Sequence, residues 1–182
     1  MDVVAHGLWG GALFYSQGRK QFLAGATLGM APDLLSFGVF HVAHPGWITE
    51  RLLGNISGPP ALSTLPPYVF HAYNMTHSLI VWAAAFMLLW ALIKKPPWLL
   101  AAWLLHIVCD IPTHVTRYFP TPFLWPLPTT PFVDGVPWTT PWLMAANYAA
   151  LLIVYCWLVV RCRRSGNCAN APNGLRRQFR KH

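Results

Sequence analysis

The chain has 182 residues, of which 55% are hydrophobic and only 10% charged, with 10 Trp and 17 Pro. So much apolar side chain excludes a disordered chain, and so few charges exclude an ordinary soluble globule, where about a quarter of residues are charged. The formal charge of +8 belongs to one end: Arg161, Arg163, Arg164, Arg176, Arg177, Arg180 and Lys181 lie there with no acid among them. These features describe one integral membrane domain, residues 1–164, followed by a flexible basic tail, residues 165–182, on the cytoplasmic side. The aromatic residues lie in apolar segments rather than among the charges, so membrane lipid is the expected partner and nucleic acid is not.

Cys109, Cys156, Cys162 and Cys168 contain no C-x-x-C pair, and neither a zinc ribbon nor a disulfide scaffold is suggested. The N-terminus, MDVVAHGLWGG, opens with an acid and lacks the basic region of a cleavable signal peptide.

Five apolar stretches follow in chain order: Val3 to Ser16, Phe22 to Phe40, His77 to Ile93, Trp98 to about Val115, and Trp142 to Val160. A spanning helix needs about 20 apolar residues, which the last three approach. The first is short and the second carries Asp33, so those two are expected as a buried hairpin or as two spans. The fold class is thus all-α: an integral membrane bundle of about five helices. Gly7, Gly10 and Gly11 allow close packing of the first helix. Arg19–Lys20, Lys94–Lys95 and Arg161–Arg164 fall on one side if the chain crosses five times. The positive-inside rule then makes that side cytoplasmic, with the N-terminus outside. The segments from His41 to Thr76 and from Thr116 to Pro141 read as outer loops, rich in Pro and Trp.

Ionisable residues inside apolar segments are costly and point to function. Here they are His6, Asp33, His77, His106 and Asp110, which the five-crossing topology gathers at one depth on the outer side. His106 and Asp110 stand four apart, so they share a helix face. Neutral imidazoles with carboxylates suit zinc, iron or manganese better than calcium or magnesium. His114 continues the spacing, but Pro112 intervenes and kinks the helix. His71, six residues before His77, is a spare ligand. Arg117 is placed to contact a phosphate or to anchor at the interface. Milder readings exist for two positions: Asp33 as a helix N-cap, and Thr76 as the cap of the third segment.

The order His6, Pro32-Asp33, Thr76-His77-Ser78-Leu79, His106 to Asp110, then Leu124-Trp125-Pro126, resembles the YdjM-like family of membrane-bound, metal-dependent hydrolases, over about residues 1 to 130. It is also distantly similar to the zinc-dependent phospholipase C and single-strand nuclease superfamily. That likeness implies an all-α bundle holding two or three zinc ions and cleaving phosphoesters. Two departures bear on metal count and substrate contacts. Pro32-Asp33-Leu34-Leu35 lacks the family's second acid, and Ala72-Tyr73-Asn74 replaces a His-Arg.

The expected function is a hydrolase embedded in the inner membrane, multi-pass, with its site outside. His6, Asp33, His77, His106 and Asp110 are the expected ligands of one to three divalent ions, zinc foremost. Asp33 and Asp110 are the catalytic carboxylates. The substrate is a lipid-linked or amphiphilic ester or phosphoester attacked by metal-activated water. A proton or ion relay is the alternative from another class, and a non-catalytic scaffold with a basic tail is another.

Overall fold

The computed structural model describes residues 1–55, 59–128 and 132–165, and the basic tail expected at 165–182 lies outside the described residues but for Ser165. The described residues form helices and connecting turns, with no strand beyond an isolated bridge between Val115 and Tyr118. The helices are α1 (Val3–Leu13), α2 (Arg19–Asp33), α3 (Val39–Ala43), α4 (Pro45–Leu52), α5 (Pro67–Thr76), α6 (Leu79–Ile93), α7 (Ala101–Asp110) and α8 (Pro141–Ser165).

All five apolar stretches fold as helices, and the first two form a tight hairpin. Asp2 caps α1 by accepting from the Ala5 backbone N–H at 2.9 Å. Gly18 makes the turn into α2 with φ 112°, a region that L side chains avoid. At two points along the seam backbone meets backbone. A Cβ on Gly10 would strike the Gly25 carbonyl, and one on Gly29 would strike the His6 carbonyl. Gly25 and Gly29 are spaced as small-xxx-small, the pattern that lets helix backbones touch. α7 packs against both members of this hairpin, and α8 runs along α1. The α8 contacts are polar and specific: Trp9 Nε1 donates to Asn147 Oδ1 at 2.9 Å, and Tyr155 OH to the Leu8 carbonyl at 2.8 Å.

The five-crossing expectation needs correction. Two helices are long and apolar enough to cross, Arg19–Ala43 and Pro141–Arg164, and a third span arises if α5 and α6 act as one. α5 and α6 meet at 62° across His77 and Ser78. α1 has only 11 residues, about 16 Å of helix, roughly half a hydrocarbon core. Trp98–Thr113 is likewise too short. The second span stays continuous past Pro32 through a π turn at Leu34–Gly38, where Ser36 Oγ donates to the Pro32 carbonyl at 3.0 Å. Asp33 therefore sits inside a helical run and does not cap one. Ser78, not Thr76, caps α6, its Oγ accepting from the Ile80 and Val81 backbone N–H groups. The segment expected as an outer loop between His41 and Thr76 holds α4, α5 and the end of α3. Under α5 lies an apolar cluster of Phe40, Leu65, Val69, Tyr73 and Phe119.

Candidate metal centre

α7 contributes two groups one turn apart, with His106 Nε2 3.2 Å from Asp110 Oδ2. His106 Nδ1 lies 2.7 Å from the Gly29 carbonyl on α2. At the α5–α6 break, His77 Nδ1 lies 3.0 Å from the Tyr73 carbonyl. A carbonyl only accepts, so each Nδ1 carries the proton and donates it. In the neutral ring each Nε2 is then a lone-pair donor, and the two face each other at 3.0 Å. Two such lone pairs can share a cation between them.

Two carboxylate oxygens complete the group. Asp110 Oδ2 is 3.4 Å from His77 Nε2, and Asp33 Oδ1 is 3.6 Å from His77 Nε2 and 3.9 Å from His106 Nε2. Asp110 Oδ2 is buried and has no hydrogen-bond partner, a costly state for a charged oxygen. The four ligand atoms lie within 4.8 Å of one another. Tetrahedral donors about 2.1 Å from an ion stand roughly 3.4 Å apart, and the distances above bracket that value. The residues present fit a divalent cation, and the group can hold one. The Nδ1-to-carbonyl bonds are the outer contacts that fix tautomer and ring direction in such sites.

The surroundings bind the other face of Asp110. His6 Nε2 is 2.9 Å from Asp110 Oδ1, and its ring stacks on His106 with centroids 3.7 Å apart. The Met1 amino group also contacts Oδ1. His114 is near but turned: its Nδ1 donates to the Asp110 carbonyl at 3.2 Å and lies 3.6 Å from Oδ1. His6, His77, His106 and Asp110 are at most 2% exposed, whereas Asp33 keeps 9% and forms the open edge.

Two spare candidates lie elsewhere. His71 is exposed on α5, and Arg117 is exposed on the loop after α7, with its charge felt by Asp134. Asp134 straps that loop down. Its Oδ1 accepts from the Thr116 backbone N–H at 2.8 Å and hydroxyl at 2.9 Å, which hold its carboxyl below the usual range. Gly135, Val136 and Trp138 donate backbone N–H groups to the carbonyls of His114, Pro112 and Thr113.

Sequence reasoning missed the residues that aim the donors. Tyr73 stacks its ring on His77 at 3.8 Å, and its hydroxyl donates to the Phe119 carbonyl at 3.0 Å. Its position four before His77 was the available signal. Trp103 Nε1 donates to the Thr76 carbonyl at 2.6 Å and pins the helix break. Ser78 Oγ donates to the Trp125 carbonyl, while Leu79 N–H bonds the Phe123 carbonyl at 2.9 Å. The Leu124-Trp125-Pro126 element therefore buttresses the turn that carries His77.

No curated protein and no solved structure matches the chain. A family model described as YdjM inner membrane protein matches residues 1–171, reaching past the motifs to include α8. Donors drawn from α2, the α5–α6 break and α7 in one helical domain thus come with a match over nearly the whole chain, and the chain belongs to the YdjM inner membrane protein family.

Proposed function

We propose that this protein is a membrane-embedded, metal-dependent hydrolase acting on a lipid-like ester, with phosphoesters the first class to test. The observation that carries the reading is the pair of Nε2 atoms facing each other at 3.0 Å, flanked by Asp33 and by the buried Asp110 Oδ2 that has no hydrogen-bond partner. Asp33, His77, His106 and Asp110 would hold the cation, zinc foremost among the choices imidazole and carboxylate allow. Bound there, a divalent ion supplies Lewis acidity toward an ester oxygen and toward water.

The chain's own residues do the rest. Gly29 and Tyr73 carbonyls hold the two imidazoles as neutral Nε2 donors. His6 holds Asp110 by its Oδ1 and so keeps Oδ2 turned toward the pocket. Asp33, at the open edge, is the carboxylate placed to take a proton from an incoming water. It lies within the Arg19–Ala43 span, next to the exposed Leu34 and Leu35, which favours an amphiphilic substrate reaching the site from the bilayer.

Helix direction supports an outer site. α2 and α7 run toward the donors, whereas α6 runs from them to Lys94–Lys95. α8 runs parallel to α1, from the Asp2–Tyr148 contact toward Arg161. The basic clusters thus stand at the end away from the site, and the positive-inside rule makes that end cytoplasmic and the site outer.

The test is elemental analysis of detergent-purified protein beside His106→Ala and Asp110→Ala. Near-stoichiometric metal in the native chain, lost in both variants, supports the reading and directs a screen of lipid phosphodiesters. A folded native chain that takes up neither zinc nor manganese on reconstitution would overturn it.

A further inference from the structure

Helix α4 is stranded on the protein. Every one of its residues except Trp47 is exposed, and it packs chiefly against its neighbour α3. An eight-residue helix has no stability of its own in water, where about 12–15 residues are marginal.

At about 100° per residue, Ile48 and Leu52 share one face, Trp47 and Arg51 line its flank, and Glu50 points across the helix from Leu52. Leu52 is 82% exposed, and the adjoining Leu53 and Val42 are also bare at 67% and 84%. The Arg51 guanidinium lies over the Trp47 ring, 5.3 Å from its centroid, and the His41 ring stacks on the same indole. The Arg19–Ala43 span ends at Ala43, His44 breaks the run with φ −128° and ψ 63°, and α4 starts at Pro45. The bare apolar face is thus continuous with the lipid-facing end of a span.

We propose that α4 is an interfacial helix lying on the phospholipid surface where that span emerges. Ile48 and Leu52 enter the acyl boundary, Trp47 and Arg51 stay at headgroup level, and Glu50 faces water. An apolar face with an aromatic-and-arginine flank is the composition that lies in the plane of a bilayer rather than across it. The inference concerns a surface remote from the donors' chemistry and stands whether or not the protein binds metal.

The test uses the full chain in nanodiscs of phosphatidylethanolamine and phosphatidylglycerol. Cys109, Cys156, Cys162 and Cys168 are replaced by Ala, and a nitroxide is attached through Leu52→Cys or Glu50→Cys. The expected result is a label at 52 relaxed mainly by oxygen and a label at 50 relaxed mainly by a water-soluble nickel chelate. A label at 52 as open to nickel as the one at 50 would overturn the proposal. So would a label at 52 shielded from both reagents, which would mean a protein partner. Hydrogen exchange on the chain with its native cysteines gives a second readout. Amides of residues 47–53 should exchange slowly in nanodiscs and rapidly after Ile48→Glu with Leu52→Glu, while α1 and α2 are unchanged. Unprotected exchange of α4 in the native chain would overturn the proposal as well.

Discussion

His77 and His106 show how little of a donor's geometry is its own. Each ring is turned by a carbonyl, that of Tyr73 or of Gly29, and every residue in a chain has a carbonyl. The His-x-x-x-Asp spacing was readable because a helix of 3.6 residues per turn brings positions four apart together. That Gly29 receives His106 was not readable, because it depends on how α2 crosses α7. Tyr73 separates the two kinds of contribution. Tyr73→Phe keeps the ring on His77 and the backbone carbonyl but strands the Phe119 carbonyl. It should lower stability by about 1–3 kcal/mol in thermal melts while leaving metal content unchanged. A loss of metal with unchanged melting would contradict this division of labour.

At the scale of elements, hydropathy located all five apolar helices but misjudged what lay between and across them. Pro45 and Pro67 stand at the first turns of α4 and α5. They read as loop signals in sequence, although proline is suited to a first helical position, where its missing N–H has no partner to lose. The hairpin of α1 and α2 makes a sharp prediction. Gly29→Ala places a methyl against the His6 carbonyl and should cost about 1–3 kcal/mol or more by overpacking, seen as reduced folded yield and a lower Tm. Gly46→Ala meets nothing within 4 Å and should be neutral or stabilising by up to about 1 kcal/mol. The Asp134 strap has a pH signature. Its carboxyl is held below the ordinary 3.8 by the Thr116 backbone N–H and then by its hydroxyl. A depressed folded value stabilises the folded loop above that ordinary pKa and loses the effect as pH falls through the lowered one. Amides of Gly135, Val136 and Trp138 should therefore stay protected at neutral pH and exchange faster, relative to intrinsic rates, below about 3.8.

Over the whole molecule, charge and helix direction support the proposed orientation. A fluorescent protein fused after His182 should fold and fluoresce in the cytoplasm, and a reporter active only outside should fail there; the reverse pattern would invert the proposed topology. The basic excess that sets this expectation was plain in the sequence. The number of spans was not, because a short apolar helix covered by its neighbours and one facing lipid share a composition. The seam of Gly10, Gly25 and Gly29 has a bearing on what the pocket can be tuned to accept. Backbone rests on backbone there, so any side chain added at Gly10 or Gly29 must push α1 and α2 apart. If the group holds an ion as proposed, adjustment to a larger or smaller one would fall to Asp33, to His77 at its helix break and to the α7 pair. Under the proposed function, selectivity among cations would then lie in those donors rather than in the spacing of α1 and α2.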